Sequence, residues 1–208
     1  MHTTSRRATI TTAATELFAQ HGFAAVGMRA IADAVGIRPS SLYHHFPSKL
    51  DLLYAIALES TQDFVETQLP LVADEPSEAA RIRRLLHAHI IYFHVHRQSE
   101  AVALRELQEL RANAPERYAT IQSIRRSYQT ALEQMIRDGV AGGEFSCDDP
   151  HLAALAILGM VNTVNDWFSD RGAYTIEEVA QRYTDLAVTR ILGARRPVRR
   201  RGSGAARA

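Results

Sequence analysis

The chain has 208 residues, a net charge of +1 and a single cysteine, Cys147. One cysteine excludes an intramolecular disulfide and a Cys-x-x-Cys motif, and therefore favours a reducing, cytoplasmic setting. The longest apolar stretch without Asp, Glu, Lys or Arg covers residues 152–165, too short to cross a bilayer, and residues 1–15 lack the apolar core of a signal peptide. We therefore expect a soluble protein with no membrane partner, of one large or two small domains.

The charge is divided unevenly along the chain. Residues 1–50 carry a net charge of +3 and residues 194–208 carry six arginines and no acid, whereas residues 51–193 carry a net charge of −8. This asymmetry suggests one part that binds a polyanion and another that does not. Of the 24 basic residues 23 are arginine, so the solitary Lys49 indicates a position that needs a compact point charge.

Three short helices are predicted before residue 47. Apolar residues at helical spacing predict one helix over 10–21 and a second over 28–35, which Gly36 ends. Pro39 suits the first turn of a helix because its missing N–H needs no partner there, and it opens a third helix that ends near residue 46.

Six further helices are predicted in residues 48–193, and capping or helix-breaking residues mark their ends. Ser48 with Asp51, and Thr175 with Glu178, have the spacing of capping boxes. The six predicted helices cover 48–69, 74–96, 100–110, 115–142, 148–168 and 175–193. The chain contains no strand pattern and no repeat, so the predicted fold is all-α with about nine helices.

This pattern divides the chain into three parts. Residues 1–47 form a small basic domain of three helices, and residues 48–193 form a larger, acidic helical domain. Residues 194–208 are rich in arginine and low in complexity, and we expect them to be a disordered tail. The arginines of the tail either add non-specific affinity for a polyanion such as DNA or are solvated without function.

The second and third helices, with Gly36 between them, have the dimensions of a helix-turn-helix, whose second helix enters the DNA major groove. Apolar residues of the first three helices can share one core: Leu17, Phe18, Ile31, Val35, Leu42 and Phe46. The outer face of the third helix and its flanks carries short or planar polar side chains and no acid: Arg38, Ser40, Ser41, Tyr43, His44, His45 and Lys49. Such donors suit phosphates and base edges.

The run from Ile31 to Leu53, IADAVGIRPSSLYHHFPSKLDLL, resembles the signature of the tetracycline-repressor (TetR/AcrR) family of one-component transcription factors. The upstream residues Ala14, Leu17, Phe18, Gly22 and Phe23 fit the same signature, and the Leu-Tyr-x-His-Phe-x-x-Lys core is highly specific. The resemblance covers about the first 55 residues. It implies that residues 1–47 are the DNA-binding domain and that residues 48–193 bind a ligand and dimerise.

The resemblance implies that seven side chains face DNA: Arg29, Arg38, Ser40, Ser41, Tyr43, His44 and Lys49. Tyr43 and Lys49 are expected to bind phosphates, because a helix N-terminus at Lys49 already attracts an anion. Arg38 and His44 are expected to read base edges. One departure from the family pattern is Gly27, where many members have Ser or Thr as the cap of the second helix.

The run Leu152–Val161 is apolar on all sides, so its helix must be covered on more than one face. The bundle core explains one face, and the resemblance implies that a partner subunit covers another. A homodimer would hold two recognition helices about one DNA turn apart, which predicts a palindromic operator.

Five polar residues on or near apolar faces are candidates for ligand binding: Arg105, Arg125, Tyr128, Asn162 and Asn165. The alternative is that they are satisfied polar residues of the core or the interface, and this is the more frequent case. Four histidines invite a metal interpretation: His87, His89, His94 and His96. Residues two apart on a helix point away from each other, so we expect no metal and no cofactor.

The sequence thus predicts a ligand-responsive repressor that binds a double-stranded DNA operator as a homodimer and is released by a small hydrophobic or amphipathic effector. An activator, or a regulator whose ligand strengthens DNA binding, is the alternative within the family. A helical enzyme with a vestigial helix-turn-helix is the alternative of another class. No GxGxxG, GxSxG, P-loop or HExxH motif is present, so we expect that the protein is not an enzyme.

Overall fold

A computed structural model describes residues 6–194, and this part of the chain is all-helical. It contains α1 (Arg6–His21), α2 (Met28–Val35), α3 (Pro39–His45), α4 (Lys49–Gln68), α5 (Glu78–Val95), α6 (Arg97–Arg105), α7 (Leu107–Asn113), α8 (Pro115–Ala141), α9 (Pro150–Asn162), α10 (Val164–Trp167) and α11 (Ile176–Leu186). A 3-10 turn over Leu69–Val72 follows α4, and a π-helical turn over Ala187–Ile191 extends α11. The predicted arginine-rich tail lies outside the described residues apart from Ala194.

The predicted all-α fold is confirmed, and the nine predicted helices are found within residues 6–194, two of them divided. The predicted helix 100–110 is divided at Glu106 into α6 and α7, and the predicted helix 148–168 is divided at Thr163 into α9 and α10. The Thr163 hydroxyl donates to the carbonyl of Gly159 at 3.1 Å, a back-bond that bends helices.

The two expected capping boxes differ. At Thr175 both reciprocal bonds with Glu178 are present, so α11 begins with a complete capping box. At Ser48 the hydroxyl accepts from the backbone N–H of Asp51, but the Asp51 carboxylate accepts from the same hydroxyl instead of from the backbone. The other oxygen of Asp51 accepts from Arg117, which joins the start of α4 to α8.

Two hydrophobic cores organise the described residues. The first lies beneath α1, α2 and α3, where Phe18, Ile31, Leu42 and Phe46 are at most 1% exposed. This core also takes in residues of α4, α6, α7 and α8. The second core joins α4, α5, α8, α9 and α11. No helix in residues 6–194 is long and apolar enough to cross a membrane.

Candidate nucleic-acid interface and internal cavity

The turn between α2 and α3 depends on Gly36. Gly36 has a φ of +71°, and its N–H and that of Ile37 bond the last carbonyls of α2. An L side chain is disfavoured in this left-handed conformation, so glycine ends α2 and lets the chain reverse toward α3. Leu42 and Phe46 then hold α3 on the core, which leaves its opposite face outside.

Six of the seven side chains expected to face DNA are exposed: Arg29, Arg38, Ser40, Ser41, Tyr43 and His44. Tyr43 is 49% exposed although it is a large aromatic residue. None of these six side chains forms a hydrogen bond or an ion pair with another residue in the described part of the chain. The α2–α3 face therefore presents unpaired donors to an external partner.

The seventh residue, Lys49, is half-buried and has partners within the chain. Its Nζ donates to the carbonyls of Phe23 at 2.7 Å, Val26 at 3.0 Å and Ala24 at 3.3 Å, and it lies 4.3 Å from the centre of the Phe23 ring. Lys49 thus ties the α1–α2 loop to the start of α4. Phosphate binding by Lys49 stays a prediction.

Arg7 also contributes to this region, although sequence reasoning did not single it out. Its guanidinium donates to the carbonyl of His45 at the end of α3 at 3.1 Å and lies 4.1 Å from the centre of the Phe46 ring. The guanidinium of Arg7 on α1 thus holds the end of α3 through a hydrogen bond and a cation–π contact. An arginine before an apolar pattern gives no sequence signal for this contact.

A cavity of about 250 Å³ lies inside the larger helical unit, among α4, α5, α6, α8 and α9. Its lining includes the aromatic residues Phe64 and Phe93 and the aliphatic residues Val65 and Leu158. The exposed members of its lining include Arg126, Leu155 and Gly159 on α8 and α9, so its mouth opens between these two helices.

Three of the five expected ligand-binding residues line this cavity: Arg125, Tyr128 and Asn162. The other two do not. Arg105 is exposed near the end of α6, and Asn165 donates its side-chain amide to the backbone carbonyl of Phe93 at 2.7 Å. This hydrogen bond joins α10 to α5, and it gives the Asn165 amide a partner within the fold.

His89, which sequence reasoning considered only as a metal ligand, is 1% exposed and lines the cavity. Its Nδ1 lies 3.1 Å from the Tyr128 hydroxyl and its Nε2 lies 3.1 Å from Oδ1 of Asn162. Burial lowers the pKa of His89 to about 3, so the ring is neutral. Among the described residues no group of three or more His, Cys, Asp or Glu side chains could hold a metal ion.

Glu100 and Arg125 form the charged end of the cavity. Glu100 is 6% exposed, and the Ser60 hydroxyl donates to its Oε1 at 2.6 Å. Burial raises the pKa of Glu100 to about 7, although the Ser60 hydrogen bond and the nearby Arg125 charge oppose the shift. Burial also lowers the pKa of Arg125, whose guanidinium has no hydrogen bond or ion pair with any residue that the structure describes.

Helix α6 connects the cavity to the first core. Glu100 lines the cavity, whereas Val102 and Ala103 on the next turn are buried in the core beneath α1, α2 and α3. At the end of α6 the Glu106 carboxylate accepts from the backbone N–H of Phe23 at 3.3 Å. The α1–α2 loop that Lys49 holds is thus also bound to the end of α6.

Helix α9 has an exposed apolar face. Leu152 is 61% exposed and Leu155 is 42% exposed, and Ala156 and Gly159 are also exposed. Trp167 on α10 and Leu186 on α11 are 49% and 44% exposed. No residue in 6–194 covers this face.

Comparisons with known proteins agree with this architecture. Residues 10–56 match the family model described as bacterial regulatory proteins of the tetR family, and residues 75–191 match the model described as the tetracyclin repressor-like C-terminal domain. The transcriptional repressor KstR2 of Rhodococcus jostii is 27% identical over 184 residues, which cover 88% of this chain and 89% of that protein.

Two solved structures resemble the whole described fold. A tetR-family bacterial regulatory protein from Rhodococcus RHA1 is 31% identical with a TM-score of 0.85, covering 93% of this chain and 100% of its own. AibR in complex with isovaleryl coenzyme A and operator DNA is 26% identical with a TM-score of 0.80, covering 88% of this chain and 98% of its own. The chain therefore belongs to the TetR family, and it is a DNA-binding regulator of transcription and not an enzyme.

Proposed function

We propose that this regulator is a repressor that binds a palindromic operator as a homodimer and leaves it when a small hydrophobic or amphipathic effector fills the cavity. The observation that carries the proposal is the position of α6, which has Glu100 in the cavity and Val102 in the core beneath α3. An effector that displaces Glu100 therefore acts on the helices that support the α2–α3 face. We call this face, with its flanking residues from Arg29 to Lys49, the DNA-facing surface. Such a ligand shifts the population toward a spacing of recognition helices that misfits the operator.

The exposed apolar face of α9 supports the homodimer. Leu152, Leu155 and Ala156 offer an unpartnered apolar surface, which monomeric proteins seldom expose. Most soluble oligomers are symmetric, and a two-fold axis next to α9 would present two copies of α3 to the same side of a duplex.

The cavity supports an effector with a small apolar body and a polar group. Its volume of about 250 Å³ equals that of roughly eight water molecules, enough for a short acyl chain or a small ring. AibR, whose solved complex contains isovaleryl coenzyme A, covers 88% of this chain, so the acyl group of a coenzyme A thioester is a suitable candidate. The coenzyme itself would have to remain outside.

The test begins with selection of the preferred DNA sequence from a random duplex library by the full-length protein. We expect a palindrome with half-sites about one helical turn apart. Fluorescence anisotropy on that duplex then measures affinity with isovaleryl-CoA, octanoyl-CoA or free CoA as the control. Release by an acyl-CoA but not by CoA supports the proposal.

Two results would change the proposal. Tighter DNA binding in the presence of the acyl-CoA would favour the alternative, a regulator whose ligand strengthens its binding. A preferred sequence without two-fold symmetry would contradict the homodimer. Arg38→Ala serves as the DNA-binding control, since Arg38 is exposed beside α3 and has no partner within the described residues.

A further inference from the structure

The orientation of the Asn162 side chain determines which nitrogen of His89 carries the proton. A neutral imidazole has one N–H and one acceptor nitrogen. Oδ1 of Asn162 can only accept, so the proton of His89 is on Nε2 and is donated to Asn162. Nδ1 is then the acceptor, and the Tyr128 hydroxyl donates to it. The three residues form a directed chain of hydrogen bonds from Tyr128 through His89 to Asn162.

This series of hydrogen bonds leaves the side-chain NH2 group of Asn162 without a partner. Oδ1 is bound to His89, whereas Nδ2 has no hydrogen bond with any residue in 6–194. Asn162 lines the cavity, and so does Arg125, whose guanidinium also lacks a partner there. Both donors line the cavity from neighbouring helices, α8 and α9, so an acceptor on a molecule bound there can pair with both of them.

We propose that Tyr128 and His89 position Asn162 so that its amide N–H groups bind an acyl oxygen of the effector, while Arg125 binds the negative charge or second oxygen of the same group. The proposal rests on the proposed function, because it takes the cavity as the effector site. The effector class is therefore an acyl compound, either a free carboxylate or an acyl thioester. Its apolar body lies against Phe64, Phe93 and Leu158.

The donor groups of Arg125 and Asn162 disfavour other headgroups beside them. An ammonium group would meet the Arg125 guanidinium and the amide N–H groups of Asn162, which are all donors. The one acidic side chain of the lining, Glu100, already accepts a hydrogen bond from Ser60. An uncharged alcohol could accept from Asn162 but would leave Arg125 unpaired.

Three probes with the same eight-carbon chain test this preference: octanoate, the octanoyl thioester of N-acetylcysteamine, and octylamine. Calorimetric titration of the full-length protein measures their binding without DNA. We expect an acyl probe to bind at least ~10-fold more tightly than octylamine, because a charge-assisted hydrogen bond is gained only with the acyl oxygen. Tighter binding of octanoate identifies the free acid as the effector form, and tighter binding of the thioester identifies the thioester.

Asn162→Asp tests the donor directly. Aspartate keeps an acceptor for His89 and replaces both amide N–H groups by an oxygen, so acyl probes should bind at least ~10-fold more weakly and octylamine more tightly. Asn113→Asp makes the same change at an exposed residue outside the cavity and should leave the preference unchanged. Asn162→Leu, which removes the donor without adding charge, replaces the aspartate variant if that variant unfolds.

Tyr128→Phe tests the positioning chain. Without the hydroxyl, His89 can move its proton to Nδ1, so the Asn162 carboxamide is free to turn over and present its oxygen to the cavity. We expect the acyl probes to lose most of their advantage over octylamine while octyl-chain binding itself persists. A preference that survives Tyr128→Phe, or a parent protein that binds octylamine as well as octanoate, or none of the probes at millimolar concentration, overturns the proposal.

These titrations are separate from the test of the proposed function. If the probes bind with the expected preference and operator affinity does not change, the acyl site stands and the effector-controlled repressor fails. If an acyl-CoA releases the operator and Asn162→Asp leaves the preference unchanged, the repressor stands and the assignment of Asn162 fails.

Discussion

The DNA-facing surface and the internal cavity differ in how their residues are distributed along the chain. The DNA-facing residues all lie between Arg29 and Lys49, on two short helices and their flanks. The cavity lining extends from Thr61 to Asn162 and comes from five helices. A local surface follows from local sequence, whereas the cavity exists only once distant helices have packed.

The two regions also differ in how their polar groups are paired. Tyr43 and Arg38 have no hydrogen-bond or ion-pair partner among the described residues, as we expect of side chains that bind a separate molecule. In the cavity His89 and Glu100 are bound by neighbouring side chains, whereas Arg125 and the side-chain NH2 of Asn162 have no hydrogen-bond partner among the described residues. The comparison teaches that donors without a partner in the fold indicate a candidate binding site both on a surface and inside a cavity.

The largest expected effect comes from a change that touches neither region. Ala156→Arg places a charge on the exposed apolar face of α9, where it would be buried and unpaired in a dimer. We expect monomers that remain folded, with operator affinity about 100-fold to 10,000-fold lower because the second half-site no longer contributes. Sedimentation and DNA titration measure both effects. Ala119→Arg, at an exposed alanine of α8, is the control, and a dimeric Ala156→Arg variant would contradict the interface.

The next largest effect concerns the cavity alone. The native pKa of Glu100, about 7, lies above its ordinary value of 4.5, so the native state holds this proton more tightly than the unfolded chain does. The contribution of Glu100 to stability therefore falls as pH rises from about 4.5 to 7, because the ionised carboxylate is disfavoured by burial. Above pH 7 the buried, ionised carboxylate of Glu100 lowers the free energy of unfolding by about 3 kcal/mol relative to pH 4.5.

Glu100→Gln removes this charge and keeps an oxygen that can accept from Ser60. We expect the variant to match the parent near pH 4.5 and to exceed it by up to about 3 kcal/mol above pH 7. Urea unfolding at several pH values measures the difference, and Glu59→Gln on the exposed side of α4 is the control. A constant difference across this pH range would contradict the assignment.

A third prediction separates the roles of two residues in the DNA-facing surface. If Arg38 reads a base, Arg38→Ala should cost about 1–3 kcal/mol of operator affinity and relax the sequence preference at one position. Tyr43→Phe should weaken operator and random DNA equally, because phosphate contacts carry no sequence information. Competition titrations with both duplexes distinguish these results. An equal loss on both duplexes for Arg38→Ala would contradict base reading and assign Arg38 to phosphate binding instead.

The sequence predicted the helices, and the exposure of the polar residues on α2 and α3, better than it predicted the cavity. Gly36, Pro39 and the Ser48 cap are local signals whose physical cause lies within a few residues, so the helices were predictable. In the cavity, the pairing of His89 with Asn162 depends on the packing of α5 against α9, and no spacing along one helix indicates it. Arg105 and Asn165 looked equivalent to Arg125 in periodicity, yet only contacts across helices separate them.

The smallest expected effect tests where the DNA-facing surface ends. Lys49 donates to three carbonyls of the α1–α2 loop, and the bond to Ala24, at 3.3 Å, is the one that a phosphate oxygen could most easily replace. Lys49→Ala should therefore lower the free energy of unfolding by about 1 kcal/mol, since close carbonyls lose a charged donor. It should also reduce the slope of log affinity against log salt by about one unit.

Lys49→Met, which keeps the aliphatic stem near the Phe23 ring, separates packing from charge in the same assays. If stability falls and the salt slope stays unchanged in both variants, Lys49 only clamps the loop, and the DNA-facing surface ends at α3. If the slope falls and stability does not, the carbonyl contacts carry little energy and Lys49 belongs to the surface alone. A fall in both places Lys49 at the junction of the DNA-facing surface with the loop that Glu106 binds, which is where a movement of α6 would reach DNA.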